Sequence, residues 1–585
     1  MDPLVATVAC LALYLFGFTV YARFLSGKIF RIDPERKTPA VLLEDGIDYV
    51  PTNRYVLFGH HFASITGLAP MLGPAVAVIW GWVPAMLWVV LGAVFVGCVH
   101  DFSALVVSMR ARGLSMGKVA EGVIGRRAKF LFLALIFFGI ALAMGVFVYV
   151  IATLVQVGPD FDPGNLAAAT ISFPSAVLPS GALMILAMIM GYLLYKKKFP
   201  LAPTTLVGFV LMLLFVWLGT LFPTLGVSTG ETGAWPKREG WTILLLGYAF
   251  LASVLPVWSL LQARDFLNSL LLYLGLAATY AGFFVLGPSF AAPAVNLDPQ
   301  GAPPLFPFVF IIIACGAASG FHGLVASGTT AKQIACETDG RFVAYGGMIG
   351  ESLLGLLAVL ACTAGFKTSE AWTAAYRDWN TINLSLGDKL GAFIQGSARF
   401  IEALGVDHGL AVAFIAVIVV SFALTTLDSA TRLLRFNVSE IGNSLGIPLL
   451  SNRFLATALA VGAIGFFAFY KVGGKPAGLA LWQLFGVTNQ LLAGLTLSVV
   501  SIYLLQRGRS PWFTGIPGVF MLGSTLTAMV GKCRDFIEKE NYLLLILGFA
   551  LFVLAVWILV EAALAIRRRD RYEGDEIALP SEGRE

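Results

Sequence analysis

Fifteen apolar stretches dominate this sequence, each long enough to cross a hydrocarbon core about 30 Å thick as a helix of roughly 20 residues. They run Leu4–Leu25, Phe62–Trp80, Val83–Met109, Phe130–Val155, Val177–Tyr195, Leu201–Phe222, Trp241–Leu261, Phe266–Leu286, Phe308–Thr330, Phe342–Phe366, Leu410–Thr431, Phe454–Tyr470, Leu479–Leu505, Phe513–Val530 and Tyr542–Ile566. Lipid supplies no hydrogen bonds, so each stretch must pair its own backbone groups, and a helix does so within one segment. The expected fold class is an all-α polytopic membrane protein. Only 12% of the 585 residues carry charge, about half the roughly 25% of a soluble domain. That is too little to clothe a water-soluble globule.

The distribution of the few charges excludes other classes. A net charge of +5 with no dense basic run before the C-terminus offers no stripe for phosphates, so no nucleic-acid partner is expected. Six cysteines without CxxC spacing indicate neither a disulfide framework nor a zinc site. The first stretch follows Asp2 in place of a basic n-region and reads as a retained span.

Lys and Arg assign sides. With the N-terminus outside, the inner loops and tail hold 28 of the 39 basic residues and the outer loops 11, as cytoplasmic loops should be the richer. The inner set includes Arg110, Arg112, Lys118, Arg126, Arg127, Lys129, Lys196 to Lys198, Arg567, Arg568, Arg569 and Arg571. Fifteen spans with the C-terminus inside follow. The expected divisions are an outer helix with a cytoplasmic loop (1–61), a first repeat (62–222), two inserted helices (223–305), a second repeat (306–505) with an external loop (367–407), and two last helices with a basic tail (506–585).

Two spans are interrupted. One carries His60, His61, Ser64, Thr66, Gly67, Pro70, Gly73 and Pro74; the other carries Gly316, Ser319, Gly320, His322, Gly323, Ser327, Gly328, Thr329 and Thr330. Such breaks free backbone groups and are tolerated where they face protein, water or ligand. They enter from opposite sides, which is the pattern of an inverted repeat with a site at the midplane. Close packing of small residues is the competing account.

Intramembrane polar groups are costly and need a partner or a task. Glu351 lies ten residues into its span, roughly 14 Å deep, and suits a proton carrier. Asp428 and Arg432, four apart, are expected to pair, while Thr425, Thr426 and Ser429 offer oxygen ligands for sodium. His100 beside Asp101 is a possible proton relay or a packing pair. Asn489 and Gln490 bridge helices or line a path. The histidines at 60, 61, 100 and 322 show no i, i+3 or i+4 spacing, so no metal site is expected.

At these residues the chain resembles the carbon-starvation protein A family (CstA) of bacterial inner-membrane carriers. The likeness rests on Leu57-Phe58-Gly59-His60-His61-Phe62, Asp101-Phe102, Ser319-Gly320-Phe321-His322 with Ser327-Gly328-Thr329-Thr330, and Glu337-Thr338-Asp339. It continues in Leu427-Asp428, Thr431-Arg432, Leu484-Phe485-Gly486 and Asn489-Gln490-Leu491-Leu492. His100 stands where the family pattern has an amide. The resemblance implies uptake of peptides, or of pyruvate by proton symport, during carbon starvation. It also implies a LeuT-type five-plus-five inverted repeat.

The combined expectation is a secondary transporter of the bacterial inner membrane and not an enzyme. Substrate would meet Ser64, Thr66, Gly67, Gly320, His322, Gly323, Ser327, Asn489 and Gln490. Glu351, Asp101, His100 and Asp428, or for sodium Thr425, Thr426 and Ser429, would couple transport to an ion. No cofactor beyond the coupling ion is expected; the partners are a small-molecule substrate and the lipid bilayer, with the oligomeric state open. A nutrient sensor, a sodium-coupled amino-acid carrier and a metal or haem membrane enzyme stand as alternatives.

Overall fold

Polar residues at the edges of the apolar stretches set where helices begin. In the computed structural model Asn53 accepts from the Tyr55 N–H, Ser115 from Lys118, Asp407 from Leu410 and Asn452 from Phe454, each capping a helix start. The structure describes residues 2–46, 48–158, 161–162, 165–166, 171–225, 235–379, 386–472, 475–476, 478–568, 572 and 574–577. Arg569 and Arg571 of the expected basic tail lie outside them, as do parts of the 223–305 and 367–407 segments.

The chain opens with α1 (Pro3–Ile29), then α2 (Arg54–Ile65) and α3 (Ala69–Trp80), which meet at 47°. There follow α4 (Trp82–Arg110), the short α5 (Met116–Val123), α6 (Arg126–Val155), α7 (Pro174–Leu194), α8 (Leu201–Leu221), α9 (Arg238–Val254) and α10 (Leu261–Leu286). The second half holds α11 (Leu305–Ile312), α12 (Gly320–Gly328), α13 (Arg341–Thr363), α14 (Ser369–Ala375), α15 (Leu386–Glu402) and α16 (His408–Leu445). It ends with α17 (Arg453–Phe469), α18 (Gly478–Gln506), α19 (Trp512–Glu538) and α20 (Tyr542–Arg568). The one strand pairing among the described residues joins Lys471–Val472 to Lys475–Pro476.

Eleven of these helices are long and apolar enough to cross a membrane, and the bent α2–α3 pair makes twelve. Three of the fifteen expected stretches fall short of that length and apolarity as single helices. Helix α9 stops at Val254 because Leu255 turns extended ahead of Pro256, a residue the expected span ran through. Helix α17 has 17 residues, about 26 Å of rise. The expected span from Phe308 is two helices of 8 and 9 residues. Conversely, α2 begins at Arg54, so His60 and His61 lie inside a helix.

Burial sorts the helices. Of the apolar windows, 94% is buried in α18, 89% in α16 and 83% in α6, against 17% in α8, 22% in α1 and 28% in α20. The first group is the core and the second its periphery.

Helix α10 touches α15 so closely that a Cβ on Gly282 would lie 1.8 Å from the Phe400 carbonyl oxygen. Gly282→Ala is therefore expected to destabilise by about 1–3 kcal/mol through overpacking. Thermal unfolding of the purified protein reads this, and an unchanged Tm would contradict the close approach. Ahead of α15, two side chains pack over the end of α3: the Tyr376 hydroxyl donates to the Ala75 carbonyl at 2.8 Å, and Trp379 lies against Trp80.

Candidate functional site

The two helix breaks meet. In the first, Thr66 adopts an extended conformation between α2 and α3. In the second, Gly316 has φ +88°, where a side chain would be strained, and its Cβ position lies 3.5 Å from the Pro70 Cα. Asn489 of α18 braces the second break. Its Oδ1 accepts from the Phe321 N–H at 2.9 Å and from the Ser319 hydroxyl at 3.2 Å, satisfying donors at the start of α12. This expected binding residue thus has its amide engaged by the Phe321 N–H, the Ser319 hydroxyl and the Cys315 sulfur.

Beside the breaks lies a chain of buried ionisable groups drawn from three helices. His322, in the first turn of α12, places Nδ1 2.9 Å from Asp101 Oδ2 and Nε2 2.9 Å from Glu351 Oε2. The other Asp101 oxygen lies 2.7 Å from His100 Nδ1. All four side chains are fully buried. The Nε2–Oε2 approach is close but off-axis, so neither Glu351 oxygen has an aligned hydrogen-bond partner among the described residues. Asp101 is hydrogen-bonded on both sides; Glu351 faces His322 on one side. An imidazole carries one proton when neutral and two when charged, so this chain can take up or release a proton without moving its heavy atoms far. Gly323 makes room for it: a Cβ there would sit 2.9 Å from the His100 ring.

A second buried cluster overturns one expectation. Asp428 does not pair with Arg432. Its partners are Arg264 and the Tyr248 hydroxyl, while Arg432 donates to the carbonyls of Ala252 and Leu255. Four residues apart on one helix, the two side chains meet different neighbours, because carbonyls freed at the end of α9 attract the guanidinium. Arg264 also donates to Asp265 at 2.8 Å and to Tyr248 at 2.6 Å. Asp265 in turn lies 2.9 Å from His60 Nδ1 and 3.4 Å from the Ser64 hydroxyl. Sequence reasoning assigns Arg264 and Asp265 to a loop, since a charged pair between apolar runs reads as a boundary. The adjacent opposite charges were the one available signal.

The remaining candidates divide. Ser64 and Ser429 are 3.2 Å apart, and Thr425 receives a bond from Asn268 at 3.1 Å. The hydroxyls of Thr66 and Thr426 are buried without partners among the described residues. They flank Gly67, whose Cβ would lie 2.7 Å from Thr426 Oγ1. Gly320 packs on the Asn489 carbonyl, and Ser327 donates to Gly323. Gln490 points elsewhere, toward Ser524 and Met521 of α19.

Three potential metal ligands also converge: Cys315, His322 and Glu351 place one ligand atom each within 4.8 Å of one another. Linear spacing hides this grouping. The Cys315 sulfur already receives a bond from Asn489 Nδ2 at 3.2 Å.

A profile described as "Carbon starvation protein CstA" matches residues 3–374 and 368–528. The chain is 32% identical to "Peptide transporter CstA" of Campylobacter jejuni, over 91% of this chain and 81% of that protein. It is 31% identical to "Pyruvate/proton symporter BtsT" of Escherichia coli K12, over 89% and 80%. Among solved structures it is similar to MHP1, a nucleobase-cation-symport-1 family transporter, at 12% identity and a TM-score of 0.42, over 88% and 92%. With its buried carboxylate–histidine chain at two touching helix breaks, this multi-pass membrane protein belongs to the carbon starvation protein CstA family.

Proposed function

We propose that this chain is a proton-coupled secondary transporter that takes up a small carboxylate-bearing nutrient, pyruvate or a short peptide, by alternating access. The relatives' names support transport of these two substrate classes. The observation that carries the coupling is the Asp101–His322–Glu351 chain, because His322 belongs to a broken helix while its partners belong to two continuous ones. Protonation changes how strongly α12 is held to α4 and α13, so the proton and the conformation are linked. Substrate sits at the break between α2 and α3, where the hydroxyls of Thr66 and Thr426 lack partners among the described residues and freed N–H groups suit a carboxylate.

The architecture goes with this reading. Counting α9, α17 and the α11–α12 pair as crossings restores fifteen spans, with five-span repeats at 62–222 and 306–505 that each begin with a broken helix. The bias of basic residues then puts the N-terminus outside and the C-terminus in the cytoplasm of a bacterium.

Uptake of labelled pyruvate and dialanine into proteoliposomes tests the proposal. Accumulation is expected when the outside is made acidic, and collapse when an uncoupler is added. Uptake that follows a sodium gradient and ignores pH would move coupling to Thr425, Thr426 and Ser429. Binding without flux would establish a sensor instead.

A further inference from the structure

A cavity of about 810 Å³ lies at the Arg110 end of α4, the opposite end from Trp80 and its cover. One wall is apolar and comes from α6: Phe130, Leu133, Ile136 and Ile140. The facing wall is α16, which presents Leu433, Asn437, Glu440 and Ser444 at i, i+4, i+7 and i+11. Helix α12 connects the two sites. It carries His322 at one end and Ser327 and Gly328, which line the cavity, at the other.

The charged lining consists of Lys118, Arg126, Lys129 and Lys332 against Glu121 and Glu440. Each acid has a partner on one oxygen, and Glu440 Oε1 has none among the described residues. Glu121 lies 3.5 Å from Lys118 and 3.2 Å from Lys129, and Glu440 accepts from the Ser115 hydroxyl at 2.9 Å. Lys332 is different. Its ammonium sits 5.3 Å from the Tyr49 ring centroid and 5.2 Å from that of Phe436, and it makes no ion pair among the described residues. Burial lowers its pKa from the ordinary lysine value, against the opposing pull of Asp48, Asp45 and Glu440. Next to Phe436, Asn437 is 4% exposed, yet neither its Nδ2 nor its Oδ1 has a hydrogen-bond partner among the described residues. A buried amide in native proteins is almost always satisfied; here the open side is the cavity.

We propose that Lys332 and Asn437 form a carboxylate-binding subsite in this cavity, a station between the helix breaks and the aqueous phase at that end. This rests on the reading of the chain as a carrier of carboxylate-bearing substrates. An ammonium and an amide N–H are two donors for the two oxygens of one carboxylate. The excess of positive charge draws anions in, and the apolar wall faces the remainder of the ligand. The volume falls in the range of about 300–1,000 Å³ typical of small-molecule sites, with room for a dipeptide beyond the carboxylate.

Equilibrium dialysis of labelled pyruvate and dialanine against the full chain in nanodiscs reads the subsite directly. Lys332→Met is expected to weaken binding at least about 10-fold and Asn437→Leu several-fold, whereas Lys332→Arg keeps it within about 3-fold. Acetate should compete and methylammonium should not. Wild-type affinity in Lys332→Met, or competition by methylammonium in preference to acetate, would overturn the proposal. Should Lys332→Met fail to fold, a Ser444→Cys reporter in the otherwise native chain decides the matter. Acetate must slow its labelling by maleimide, read by mass spectrometry, and an unchanged labelling rate would equally overturn it. Glu351→Gln separates this proposal from the transport reading. Carboxylate binding at the subsite is expected to persist there without proton-driven uptake, while a wild-type protein that binds but never transports would sink only the carrier assignment.

Discussion

Glu351→Gln is expected to abolish proton-driven uptake while leaving counterflow, the exchange of labelled for unlabelled substrate across the membrane, close to wild type. The amide keeps the shape of the carboxyl group but cannot cycle a proton. Positioned proton-transfer groups are typically worth about 10²–10⁴-fold, so a loss of at least about 100-fold in uptake driven by a pH gradient is the expected scale. Exchange survives because it needs the conformational change and not the proton release. Glu351 is the member to test first, since its carboxylate lies 2.9 Å from His322 Nε2 without an aligned hydrogen bond. Asp101, by contrast, is bonded to both His322 and His100, and its loss would also disturb packing. Retained pH-driven uptake in Glu351→Gln would remove this residue from coupling. Loss of exchange together with uptake, at unchanged thermal stability, would make it a substrate or gating residue.

The second large effect is structural. Arg264 is the buried cation between Asp265 and Asp428. Removing one partner of a buried pair leaves an uncompensated charge and typically costs about 3–5 kcal/mol. Arg264→Met is expected to lower stability by that amount, seen as a marked drop in Tm and in the yield of folded protein. Because most of that cost is the stranded carboxylate, Arg264→Met combined with Asp428→Leu should recover a large part of it, as apolar replacements of buried ion pairs often do. A single variant within about 1 kcal/mol of wild type would mean that Tyr248 and His60 alone satisfy the two aspartates. A double variant worse than the single would show that Asp428 has a further partner.

Local physics made part of the site legible in advance. Gly316 needs its left-handed backbone, and Thr66 to Leu68 interrupts a run that is otherwise helical; both are consequences of residue type, and both breaks were expected from Gly, Pro and polar residues inside apolar stretches. Glu351 was conspicuous because a carboxyl deep in an apolar run has no solvent. Spacing presents His322 as a substrate ligand, and the structure places it between Asp101 and Glu351, which lie 221 and 29 positions away in the chain. Its neighbours are set by packing and not by spacing. The pairing of Asp428 with Arg432 failed for the same reason. The i, i+4 rule describes an isolated helix, and here α9 and α10 supply better partners to each side chain.

What the sequence determined by itself is what depends on the solvent and on one helix at a time. Scarce charge demands a bilayer, the apolar lengths demand helices, and interrupted helices demand something to satisfy the backbone they free. Which groups face one another across helices depends on the packing of distant segments. The Asp101–His322–Glu351 chain, the Arg264 cluster and the Asn437 amide, which has no partner among the described residues, all arise there. In a low-dielectric interior a polar group's energy is set by the atom it touches, and that atom is chosen by packing between helices far apart in the chain.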